Sequence, residues 1–139
     1  MIARALRQAL VLMALALLPA IVSGAIQLRW NNAEPLAPGE VRAATVKEWG
    51  GKVLWVDARP RDKFEAGHIE GAILLNEEEW NKLVPAFLDA WEPDRHVVVY
   101  CDGGSCEASH AVARRLRELN AEISDVHVLK GGITAWPAK

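Results

Sequence analysis

Cysteine is scarce in this 139-residue sequence, which contains only Cys101 and Cys106. The two are too few and too close together to form a disulfide framework, and a bridge between them would close too short a loop to stabilise the chain much. Zinc spacing is missing too, because the nearest histidine, His110, would complete only three ligands on one short segment. No metal and no organic cofactor is expected. Positive charge is also in short supply. Sixteen Lys and Arg oppose eighteen Asp and Glu, and the net charge of −2 divides into +1 over residues 1–40 and −3 over the rest. An acidic globular part offers no clustered cations for phosphate, so nucleic-acid binding is not expected. Internal repeats and low-complexity stretches are absent. The length has room for one compact domain plus an appendage, and not for two domains.

What is present begins with an apolar run. No charged residue occurs between Gln8 and Leu28, a length that crosses a hydrocarbon core at about 1.5 Å per residue. Arg4 and Arg7 precede the run and Arg29 follows it. The positive-inside bias puts the start in the cytoplasm and the following domain on the periplasmic or extracellular side. Pro19 is tolerated in a membrane span, and Trp30 stands where an interfacial anchor would. The alternative is a signal peptide cleaved near Ser23-Gly24-Ala25 and a secreted domain; signal cores are usually shorter, roughly 7–15 residues. Residues 1–30 are thus expected to be a transmembrane anchor, 31–40 a linker marked by Pro35, Pro38 and Gly39, and 41–139 the globular domain.

From Val41 onward strand and helix patterns alternate, as in a layered α/β fold. Thr45–Trp49 predicts a short helix stopped by Gly50-Gly51. Val53–Val56 is an apolar run ending at Asp57, as expected of a strand covered on both faces. Ala72–Leu75 is a second short run. Glu77–Trp91 reads as an amphipathic helix whose acidic first turn suits the helix dipole, broken or kinked at Pro85. His96–Tyr100 is the best candidate for a central strand. Ala108, Val112, Leu116 and Leu119 recur at helical spacing, with Arg114, Arg115 and Arg117 facing away. Val126–Leu129 is a last strand, followed by Gly131-Gly132 and a short terminal helix containing Trp136. The six tryptophans mostly occupy apolar positions and are expected to pack, while His96, His110 and His127 have no partner visible in the sequence.

Cys101 falls immediately past the central strand, where reactive groups collect in open α/β sheets. The segment Cys101-Asp102-Gly103-Gly104-Ser105-Cys106 must turn from strand to helix within a few residues. Gly103 and Gly104 let backbone amides converge, and the next helix adds its unpaired N–H groups. Such a cradle favours an anion, a thiolate or a persulfide included. The pattern by itself leaves two readings open, a reactive cysteine and a cysteine that merely packs.

Asp57-Ala58-Arg59, then Phe64-Glu65-Ala66-Gly67-His68-Ile69-Glu70-Gly71-Ala72 with Asn76 beyond, resembles the rhodanese signature. The strand Val97–Tyr100 leading into Cys101 resembles that family's active-site segment, and Leu129–Trp136 its closing segment. The resemblance covers roughly Val41 to Trp136. It implies a three-layer domain with a central, mainly parallel five-stranded sheet flanked by helices. It also implies a Cys101 nucleophile that takes a sulfane sulfur from thiosulfate or a persulfide and passes it to a thiol or to cyanide. Carried over by position, the amides of Asp102 to Cys106 bind the sulfur and the donor's anionic group. Asp57 and Arg59 order the loops around the site, and His68 belongs to a turn.

The loop departs from the family's common form. Its helix-start serine is Ser109, two residues later than usual, and Cys106 stands where arginine is frequent. The loop carries Asp102 and Glu107 and no cation, which disfavours the thiosulfate dianion against a less charged persulfide donor. Cys106 is a candidate resolving cysteine that would leave a Cys101–Cys106 disulfide, or else a small filler under the loop. The related phosphatases carry arginine where this chain has Glu107, which would repel phosphate. Three functions remain: a membrane-anchored sulfurtransferase or persulfide carrier, a thiol redox protein, and a silent rhodanese module that docks a partner at the membrane.

Overall fold

The computed structural model describes residues 35–103 and 107–137. The apolar segment 8–28 and the loop residues Gly104, Ser105 and Cys106 lie outside the described residues. No helix among the described residues is long and apolar enough to cross a membrane.

Five strands form one parallel sheet: β1 (Glu40–Val41), β2 (Val53–Asp57), β3 (Ile73–Leu74), β4 (His96–Tyr100) and β5 (Val126–Leu129), in the order β1-β5-β4-β2-β3. The helices are α1 (Ala43–Trp49), α2 (Arg61–Ala66), α3 (Trp80–Ala90) and α4 (Glu107–Leu119), with short 3-10 turns at Gly50–Lys52 and Gly132–Ala135. Covered on both faces, β2 is apolar from Val53 to Val56 and β4 from Val97 to Tyr100, and their alternation splits the core in two. Leu54, Val56, Val97, Val99, Val126 and Val128 point to one side, where α3 contributes Phe87 and α4 contributes Val112 and Leu116. Val53, Trp55, Val98, Tyr100 and Leu129 point to the other, against Val46 of α1 and the terminal turn at Ile133.

Strands β2 to β5 fall where the apolar runs place them, whereas β1 begins inside the expected linker and α2 forms where no helix was expected. The other differences lie at the remaining helices. The α3 helix starts at Trp80, so Glu77, Glu78 and Glu79 precede its first turn instead of forming it. The buried Asn76 Oδ1 accepts the Glu79 N–H at 2.8 Å, and Glu79 itself is tied to Arg61 of α2 at 2.8 Å. The α3 helix also continues unbroken through Pro85. Leu119, expected on the apolar stripe of α4, is exposed at the helix end. Arg115 does not point into water; its guanidinium lies 4.1 Å from the Trp80 ring centroid. Trp136 follows the terminal 3-10 turn instead of sitting in it, with its ring 4.6 Å from that of Trp55. Order begins before Val41, since a turn at residues 37–40 pairs Gly39 O with the Val128 N–H at 2.8 Å.

Candidate active site

Parallel strands carry their carboxyl ends to one edge of the sheet, and five of the expected site residues, Asp57, Arg59, Cys101, Asp102 and Gly103, lie there. β2 ends at Asp57, paired in register with Tyr100 at the end of β4, and Cys101 is the next residue. The Ala58 N–H bonds to Tyr100 O at 2.9 Å, which ties the two strand-end loops together. Cys101 is enclosed, with 3 % of its surface exposed. Its sulfur lies 3.6 Å from the hydroxyl of Ser109, a buried residue in the first turn of α4 that donates to it. A hydroxyl donor and a nearby helix start both favour negative charge on sulfur.

The backbone behind Cys101 is pinned by the end of the domain. Cys101 O accepts the Ile133 N–H at 2.7 Å. Gly132 passes so close that a Cβ there would lie 2.5 Å from Cys101 O and 2.6 Å from Gly103 N, and its φ of +58° is itself a glycine conformation. Gly103, at φ +144°, turns the chain out of the strand above Gly131 and Thr134.

Asp57 and Arg59 form a buried fork. Arg59 Nε donates to Asp57 Oδ1 at 2.9 Å and Nη2 to Oδ2 at 2.7 Å. Nη2 also reaches Gly67 O at 2.7 Å, and Asn76 Nδ2 donates to Arg59 O at 3.2 Å. Through its guanidinium Arg59 thus holds the strand-end loop and the turn after α2, and through its carbonyl the loop before α3. The Asp57 carboxylate raises the Arg59 pKa above its ordinary value. Burial, together with the same carboxylate, pushes the Tyr100 phenol well above its own. The Tyr100 hydroxyl accepts the Ile69 N–H at 3.1 Å. His68 stacks on Phe64 at 3.9 Å and its Nδ1 contacts Phe64 O at 2.8 Å, so its contacts are those of a turn residue.

Two cations complete the rim, Arg59 and a second, Lys63, that the local pattern did not mark. Lys63 of α2 pairs with Asp102, and Arg59 Nη1 lies 3.5 Å from the other oxygen of the same carboxylate. Lys63 holds the Asp102 carboxyl below its usual range. The loop's own lack of a cation is therefore offset by Lys63 of α2 and by Arg59 before it, but both charges are already engaged. Sequence spacing gave no sign of this, because the partners are 39 and 43 residues apart.

A doubly covered parallel sheet with one enclosed cysteine just past its central strand defines a class of α/β domains built around that residue. A model of the rhodanese-like domain matches residues 42–139, and the chain belongs to this family. It is 33 % identical over 86 residues to an HTH-type transcriptional regulator of Mycobacterium tuberculosis, covering 62 % of this chain and 35 % of that protein. It is 30 % identical over 89 residues to a tRNA uridine(34) hydroxylase of Yersinia pestis, covering 62 % of this chain and 24 % of that one. The chain thus spans only about a third and a quarter of these relatives' lengths. Among solved structures, a human single-domain sulfurtransferase superposes with a TM-score of 0.56 at 22 % identity, covering 70 % of this chain and 94 % of that one. That likeness is one of fold.

Proposed function

We propose that this protein is a sulfurtransferase or persulfide carrier with Cys101 as its nucleophile. Its position carries the proposal: the sulfur stands at the carboxyl end of β4, 3.6 Å from a hydroxyl donor in the first turn of α4. Membership of the rhodanese-like family and the likeness in fold to a sulfurtransferase point the same way. The Cys101 thiolate attacks the terminal sulfur of a donor, a new S–S bond forms, and the donor's own S–S bond breaks. Sulfite or a thiolate leaves with the electron pair. An acceptor thiolate or cyanide then attacks the outer sulfur of the persulfide, and the Cys101 thiolate leaves in turn. Only the donor's terminal atom has to meet Sγ, so the enclosure of Cys101 is compatible with transfer and shields the persulfide from water.

The donor we favour is a low-charge persulfide, since Asp102 occupies the two rim cations that a dianion would seek. The amides from Asp102 to Cys106 are assigned to the bound sulfur. Residues 1–30 are assigned to a membrane anchor that leaves the domain on the non-cytoplasmic side.

Mass spectrometry of the full chain exposed to a glutathione persulfide tests the assignment. A gain of one sulfur atom confined to Cys101 is the expected result, and Cys101→Ala removes both that gain and thiocyanate formation from cyanide. Undiminished turnover by Cys101→Ala would overturn the mechanism.

A further inference from the structure

The opposite edge of the sheet holds a second cluster of ligating side chains. His96 opens β4 and His127 is the second residue of β5. Register sets them side by side, because Val97 pairs with Val126 and Val98 with His127, which leaves Asp125 across from His96. Alternation then puts all three side chains on the face that carries α1. There the Asp125 carboxylate lies between the rings, with Oδ2 2.5 Å from His96 Nδ1 and Oδ1 2.6 Å from His127 Nε2. Trp49, the last residue of α1, stacks on His96 at 4.1 Å and tilts against His127 at 5.0 Å, which limits how either ring can turn.

We propose that His96, Asp125 and His127 form a binding site for a divalent transition-metal ion of the zinc class, separate from Cys101. The three donor atoms lie within 4.8 Å of one another. An ion needs its ligands at about 2.0–2.2 Å, so each donor has to shift by roughly 1 Å or less, a side-chain rotation on strands that stay fixed. An ion pair needs one imidazole. Two rings from adjacent strands converging on one carboxylate occupy three corners of a tetrahedron, with water left for the fourth. Imidazole nitrogens select zinc, copper or nickel over magnesium or calcium, which prefer all-oxygen ligands. On binding, each ring nitrogen facing Asp125 gives its lone pair to the metal, and any proton it carried moves to the other ring nitrogen or to solvent. Five residues of extended strand separate His96 from Cys101, roughly 16 Å, so the ion acts on the stability of the sheet and not on the sulfur.

Titration of the full chain with zinc, followed by NMR of the four histidine rings, separates this site from capture by thiolates. The expected result is saturable shifts of His96 and His127 at one equivalent, with His68 and His110 unmoved. Asp125→Asn should weaken that binding at least tenfold while the ring signals keep their folded dispersion. Shifts confined to His68 or His110, unchanged affinity in Asp125→Asn, or no ring shift at a hundred micromolar zinc would each overturn the proposal.

Discussion

Asp102 is about half exposed and faces Lys63 and Arg59, so under the proposed function it is a built-in counter-ion to the two cations an anionic donor would seek. Asp102→Asn releases both cations without changing the size of the side chain. The KM for thiosulfate should then fall about 3–10-fold, as expected of an exposed electrostatic contact worth about 1 kcal/mol, and the gain should shrink with added salt. A KM that stays put in steady-state assays at low salt would show that Asp102 does not gate charge. Arg59 is a different case, because it is buried against a fully buried Asp57. Arg59→Met leaves that carboxylate uncompensated and should cost roughly 3–5 kcal/mol in urea unfolding; a loss under 1 kcal/mol would mean the pair merely balances its desolvation. Asp57, Arg59 and Cys101 were all legible in the sequence, since each sits in a short contiguous motif. Lys63 and the shared role of Asp125 were not. Their contacts join residues 39 and 29 positions apart, and nothing in a local pattern carries that information.

The strands were more legible than the helices, for a physical reason. β2 and β4 are covered on both faces over most of their length, so the apolar runs Val53–Val56 and Val97–Tyr100 mark them with little ambiguity. Helix starts depend on which nearby group satisfies the first N–H donors. The acidic run Glu77–Glu79 resembles a dipole-friendly first turn, yet Asn76 takes the Glu79 N–H and Glu79 turns to Arg61. Pro85 misleads in the other direction. Its ring is exposed and the helix runs on past it, held by Trp80 and Phe87 in the core. The missing N–H and the crowded Asn81 carbonyl still carry a cost. Pro85→Ala should therefore stabilise the domain by roughly 2 kcal/mol, about 3 from the helix interior less up to about 1 from the freer unfolded chain. Thermal unfolding measures it, and a lower Tm would show that Pro85 relieves strain elsewhere.

Charge sets the pH range over which the whole domain holds. Asp102, Glu40, Glu79 and Asp125 all have depressed carboxyl pKa values, so the stability they add is present above their unfolded values of 3.8 and 4.5 and is lost as pH falls through the folded ones. Tyr100 and Lys63 are raised, so their contribution is complete below 10.0 and 10.5 and is lost as pH climbs through the folded values. Tm measured against pH should be level from about 5 to 10 and fall on both sides; a maximum confined to mildly acid pH would contradict these pairings. The close pass of Gly132 over Cys101 and Gly103 has a further consequence for how the molecule comes into being. Among the described residues strand β1 pairs only with β5, and the Cys101 carbonyl is held by an amide 32 residues downstream. During synthesis on the ribosome the cysteine is therefore made long before its support exists. A chain still short of Ile133 lacks the amide that anchors the Cys101 carbonyl, so the enclosed surroundings of that side chain are completed only by the last turn to be made.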